Sequence, residues 1–181
     1  MTSQLPAATG MAASLDKLED VVAVDTCSVE QVCYELSRLF RVRSQEVALL
    51  QVQRSMLKFL FPTELRSAGA IPLSSSAIAA RTATSRRADY FNNFSAVQHS
   101  SIFETIKMKA PDVPNSQMDP LTIQKLMSVA VLGPGNKVSG VIQISRKGFD
   151  ALSCGPDFTT GDLDLLKAAA KVVGVFLARQ A

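Results

Sequence analysis

The stretch that most limits the fold is residues 124–147, two apolar arms around Gly133-Pro134-Gly135-Asn136. Pro134 presets φ and Gly135 tolerates φ > 0, so the pair suits the centre of a type II turn. Both arms are rich in Val, Ile and Leu, with small or polar residues between them, as in strands with two unlike faces. Strand alternation puts Val138, Gly140, Ile142 and Ile144 on one face and Ser139, Val141, Gln143 and Ser145 on the other. On the first arm Met127, Val129 and Val131 oppose Leu126, Ser128 and Ala130. The face holding Met127, Val129, Val131, Ile142 and Ile144 is apolar and calls for helices. The other mixes small, polar and apolar side chains, as the lining of a cavity does. The hairpin is read as the centre of a sheet.

Residues 1–13 lack periodicity and read as a mobile tail. Ser14 is placed as the N-cap of a short helix carrying Leu15, Leu18 and Val22. Ser28 to Gln31 is a capping-box pattern. Behind it Val29, Val32, Cys33, Leu36, Leu39 and Phe40 recur at helical spacing. Residues 46–53 and 56–61 read as strands, and the short gap at Arg54-Ser55 makes them a tight hairpin ended by Pro62. Residues 64–71 fit an edge strand or a loop. A short Ala-rich helix over 77–84 is capped by one of Ser74 to Ser76, with Arg81, Arg86 and Arg87 at its solvated end. A short strand within 88–94 precedes a helical stretch over 95–107 and a Pro-rich loop over 108–120. After a loop over 147–157, Thr159 or Thr160 caps a last helix. Its apolar stripe, Leu163, Leu166, Ala170, Val173 and Leu177 widened by Leu165, Val172 and Phe176, is broad enough to meet both a sheet and a partner helix.

Bulk properties narrow the class. Apolar residues make up 47% and charged residues 19%, the balance of an ordinary globular chain. The net charge of +3 is too small to indicate nucleic acid without a clustered basic face. Three cysteines, Cys27, Cys33 and Cys154, form no Cys-x-x-Cys and no disulfide framework, which fits a reducing, cytoplasmic setting. No apolar run approaches the roughly 20 residues that span a bilayer, and the N-terminus has no signal-peptide pattern.

The order of elements resembles a GAF domain from Ser28 to about Gln180. The run from Ser128 to Ser145 is similar to the family's central hairpin, with Gly140 at the usual glycine of the returning strand. The run from Phe158 to Leu166 resembles the entry into its final helix, and that from Ile71 to Ala83 the segment beside its pocket. The long first helix ahead of the first strand pair favours GAF over a PAS-like sheet. The resemblance implies an α+β fold: a central antiparallel sheet with terminal helices on one face and a pocket made by a short helix and loops on the other. It divides the chain into residues 1–27, a tail with a short helix, and 28–181, the domain. It also implies a sensory or regulatory module, standing alone or cut from a longer chain, that binds a small molecule and forms a homodimer through its terminal helices.

The family's known chemistries leave recognisable marks in sequence. Asn92-Asn93-Phe94 is not followed by the Asp-Glu pair of cyclic-nucleotide binders. The Cys-His dipeptide of bilin binders is missing. Reductases of free methionine sulfoxide cluster cysteines at the pocket, whereas Cys27 and Cys33 fall on or beside the first long helix and Cys154 in a distal loop. A single His99 supplies neither a metal site nor a hydrolytic triad, and the Gly133-to-Gly135 run is a turn rather than a phosphate cradle. The expectation is therefore a protein that is not an enzyme and has no cofactor or metal. The candidate ligand-binding residues are Tyr90, Asn92, Phe94, His99, Phe103, Ser128, Gln143 and Ser145. A ligand-free dimerisation or protein-interaction module is the alternative, and a thiol-dependent reductase a further one. Nucleic-acid and membrane partners are not expected.

Overall fold

The structure, a computed structural model, describes the backbone of residues 7–94 and 121–180 and the side chains of 15–94 and 121–180. The helical stretch and Pro-rich loop expected over 95–120, with His99 and Phe103, lie outside the described residues, as do residues 1–6.

The elements are helix α1 (Ala7–Ala23), helix α2 (Val29–Phe40), strands β1 (Val47–Gln53), β2 (Met56–Phe61) and β3 (Ala70–Pro72), helix α3 (Ile78–Ser85), strands β4 (Asp89–Phe91), β5 (Thr122–Leu132) and β6 (Val138–Gly148), and helix α4 (Thr160–Arg179). Among the described residues the strands form a six-stranded sheet ordered β3-β2-β1-β6-β5-β4. Every neighbouring pair is antiparallel. The β5–β6 hairpin is central, because β6 also pairs with β1 from Val47↔Ile144 to Gln51↔Gly140 and so joins it to the β1–β2 hairpin.

Local chemistry accounts for the elements. Gly135 has φ 67 and ψ 22, the left-handed conformation a type II turn needs at that position. The turn is longer than expected: Asn136 is also left-handed, and the Gly133 N–H donates to the Lys137 carbonyl at 2.8 Å. The β1–β2 hairpin turns at Arg54-Ser55 with Arg54 at φ 57. In α2, Ser28 Oγ accepts from the Gln31 N–H while the Gln31 side chain accepts from the Ser28 N–H, closing the capping box. Thr159 and Asp162 do the same for α4.

Several local expectations change. The first helix begins at Ala7, ahead of Ser14. Ala77, not a serine, is the N-cap of α3, and no side chain caps it. Residues 64–71 resolve into a 3-10 turn, Thr63–Leu65, and the edge strand β3.

The sheet has two cores. On one face Val47, Leu49, Met127, Val129, Val131, Ile142 and Ile144 pack against Leu18 and Val22 of α1, Val32, Leu36 and Phe40 of α2, and Leu166, Val173 and Leu177 of α4. On the other, Ala48, Leu50, Leu57, Phe59, Leu126 and Val141 pack against Ile78, Ala79, Ala80 and Ala83 of α3. Val138 departs from its expected side. It packs against the α3 core, beyond the register shift at Val131/Leu132 that interrupts strict alternation.

Candidate functional site

The second face carries buried polar groups at the centre of an otherwise apolar surface. Ser128 and Gln143 are direct partners across β5 and β6, and both are buried. Gln143 Nε2 donates to Ser128 Oγ at 3.4 Å, and Ser128 Oγ shares a hydrogen bond with Thr82 Oγ1 at 2.8 Å. Thr82 reaches the sheet because Ala79, Ala80 and Ala83 let α3 lie close to it. Buried hydroxyls and amides cost free energy unless bonded, so the chain Gln143–Ser128–Thr82 is held together by mutual satisfaction.

Thr82 also lines a cleft of about 350 Å³ between α3 and β4. Helix α3 contributes Ile78, Arg81, Thr84 and Ser85 to it. Strand β4 contributes Asp89 and Phe91, with Arg87 between the two elements. Arg87 Nη2 lies 4.0 Å from Asp89 Oδ1, a contact on exposed side chains that is worth little in stability. The cleft sits at the lower end of the usual size of a small-molecule site and combines apolar walls with cations, hydroxyls and a carboxylate.

The expected site residues divide. Ser128 and Gln143 meet, as described. Ser145 lies on the same strand face, and its hydroxyl donates to the Glu46 carbonyl at 3.1 Å. Phe94 is buried in the α3 core. Asn92 serves as a brace: its Nδ2 donates to the Phe158 carbonyl at 2.9 Å and its Oδ1 accepts from the Phe158 N–H at 2.8 Å, tying the end of β4 to the start of α4. Tyr90 pairs with Met127 and so stands on the helix side of the sheet, away from the cleft. His99 and Phe103 lie outside the described residues. Asp89 and Phe91, missed in the sequence, share the cleft side because they pair with Ser128 and Leu126. Period-two alternation around Tyr90 signals them only once the β4–β5 register is known.

The cysteines lie apart from this cleft. Cys27 and Cys33 belong to the helix-side core. Burial pushes both thiols up; the nearby Arg179 partly offsets this at Cys27, while the charge of Glu30 adds to it at Cys33. Cys154 is partly exposed in the β6–α4 loop, and all three are free thiols. Among the described residues no group of His, Cys, Asp and Glu is placed to hold a metal ion. No described helix is long and apolar enough to cross a membrane.

No family model and no curated protein sequence matches the chain. Solved structures do. The GAF domain of an Acinetobacter phosphoenolpyruvate-protein phosphotransferase is similar at TM-score 0.62 and 12% identity, covering 97% of this chain and 94% of that one. The A. Aeolicus nlh2 GAF domain in an inactive state gives TM-score 0.64 at 11% identity, covering 94% and 97%. The free methionine-R-sulfoxide reductase from Neisseria meningitidis, in complex with its substrate, gives TM-score 0.66 at 15% identity, covering 99% and 96%. The chain therefore has the GAF fold over nearly its whole length. The expectation that it is not an enzyme is corrected by these likenesses: this architecture houses a reductase as well as the two GAF domains, so it does not argue against catalysis.

Proposed function

We propose that the chain is a regulatory module that binds a small molecule in the cleft between α3 and β4 and acts as a homodimer in a reducing, cytoplasmic compartment. The observation that carries the reading is Thr82. It bonds to the buried Ser128–Gln143 pair on one side and lines the cleft on the other. A ligand that bonds to Thr82 is thereby coupled to the central hairpin, and through it to the sheet that supports the terminal helices. Ile78 and Phe91 suit an apolar part of the ligand, and Arg81, Arg87 and Asp89 its polar groups. Exposed Val24, Tyr34 and Val175 on or beside the terminal helices support a second copy as the partner there.

A thermal-shift screen of amino acids, purines and other small metabolites tests this. A ligand at a hundred times its Kd stabilises by about 2.7 kcal/mol, which moves Tm by several degrees. The shift should fall away in Thr82→Val and Arg87→Gln. A screen without hits, or hits indifferent to both substitutions, defeats the binding reading. Light scattering should report a dimer at micromolar concentration, and a monomer mass counts against that part.

A second reading is catalytic, favoured by the likeness to the Neisseria reductase over almost the entire chain. Cys154 is the accessible thiol available for it. Loss of free methionine sulfoxide in the presence of a dithiol, abolished by Cys154→Ser, would establish it.

A further inference from the structure

A second cleft, of about 810 Å³, opens at the other end of the central hairpin, between the C-terminus of α2, the start of β1 and the β6–α4 loop. Its chemistry differs from that of the α3–β4 cleft. Arg41, Arg43 and Arg146 line it, and Glu46 is the acidic side chain among its described lining residues. The carboxylate of Glu46 is already engaged: Arg43 Nη2 donates to it at 2.7 Å, as do the N–H groups of Arg43 and Lys147 at 2.8 and 2.6 Å. The end of α2 adds roughly half a negative charge, less than the cations around it.

Arg146 is held in place. Its guanidinium stacks on the Phe158 ring at 4.9 Å, with Nη1 and Nη2 each 3.5 Å from the Arg41 and Phe40 carbonyls. Its Nε is buried and has no hydrogen-bond partner among the described residues. Arg41 caps α2 in the left-handed conformation with its side chain exposed. At the rim Phe149 is 64% exposed, an apolar contact for whatever the cations hold.

We propose that this cleft is a second binding site, for a small molecule bearing a phosphate group. Planar guanidinium forks match phosphate oxygens in pairs, and a site with a surplus of cations concentrates such anions. The volume suits a phosphate ester with an organic part, which Phe149 would cover, rather than a bare inorganic ion. The same group could arrive free in solution or as a lipid headgroup.

Calorimetric titration of the full chain with inorganic pyrophosphate and with glycerol 3-phosphate at low salt reads the free source. Sedimentation with vesicles of phosphatidic acid in phosphatidylcholine reads the lipid source. Arg146→Gln should weaken binding about tenfold or more, the usual loss of a charge-assisted contact. Arg41→Gly should weaken it severalfold. That substitution is safe for the fold, because glycine is the preferred residue at a left-handed helix cap. Lys58→Ala, an exposed cation on β2 that lines neither cleft, should leave it unchanged. Binding of the soluble phosphates with this profile supports the site and a free ligand. Binding of the vesicles alone, with the same profile, supports the site and assigns its phosphate to a headgroup. Binding of neither, or binding indifferent to both arginine substitutions, overturns the proposal.

Discussion

Ser128 shows how a single residue can link packing to the site. Its hydroxyl is wholly buried and is shared by Thr82 and Gln143. Ser128→Ala removes the shared oxygen and leaves two buried polar groups without that bond, which costs about 1–3 kcal/mol. Urea unfolding should show this loss. In a double-mutant cycle with Thr82→Val the losses should fall short of additive, because both substitutions break one bond. Cys33 makes a separate residue-scale case. Burial is the largest cause of its raised pKa, with the charge of Glu30 next and Arg66 opposing. The unfolded thiol ionises around 9.0, its unperturbed value, while the folded one stays protonated. The unfolded state therefore binds fewer protons, and stability should fall as pH rises above that point, by at most about 1.4 kcal/mol per pH unit from this group. Urea melts between pH 8.5 and 10 should slope down, and less steeply in Cys33→Ala. Iodoacetamide should label Cys154 in the native protein and reach Cys33 only on unfolding.

At the scale of elements, the α4 terminus carries a testable share of the fold. Thr159 Oγ1 accepts from the Asp162 N–H at 3.2 Å, and Asp162 Oδ2 accepts from the Thr159 N–H at 2.8 Å. Thr159→Ala should lower stability by about 1 kcal/mol, and Thr159→Ser should restore most of it, read by thermal melting. Such caps are legible in the sequence because they are local: Ser28 with Gln31, and a threonine with Asp162, announce themselves within one turn. The central hairpin is legible for a similar reason, since alternation along β5 and β6 by itself puts Met127, Ile142 and Ile144 on the face opposite Ser128 and Gln143. The start of α3 is not, because three serines mimic a cap that the backbone does not use. The left-handed conformation of Arg41, Arg54 and Arg86 is invisible in the sequence, because it is ordinarily signalled by glycine or asparagine. The cleft is half legible. The buried Ser128–Gln143 pair behind Thr82 follows from β5 and β6, but the β4 wall depends on the Asp89↔Ser128 register, a contact between strands far apart in sequence.

At the scale of the whole molecule, both cores hang on one sheet, and Gly140 marks where they meet. It sits in β6 opposite Gln51 of β1 and opposite Val131 of β5. A Cβ there would run into the Leu50 carbonyl and stand 2.8 Å from Leu177 Cδ1 of α4. One obstacle is strand backbone and the other a side chain buried in the helix-side core, so neither yields without disturbing its neighbours. Overpacking of this kind costs about 1–3 kcal/mol. Because β1 and β6 floor both cores, the strain cannot be confined to one of them, and unfolding should be a single transition. The chain has no tryptophan, so Tyr34 on α2 and Tyr90 on β4 supply the fluorescence probe. In urea, tyrosine fluorescence and far-UV circular dichroism should report one midpoint for the native chain. Gly140→Ala should move both signals together to lower urea with the slope unchanged. A midpoint that splits between the two probes would mean that the sheet does not bind its elements into one unfolding unit, and that a ligand in the α3–β4 cleft has no route through the sheet to the terminal helices.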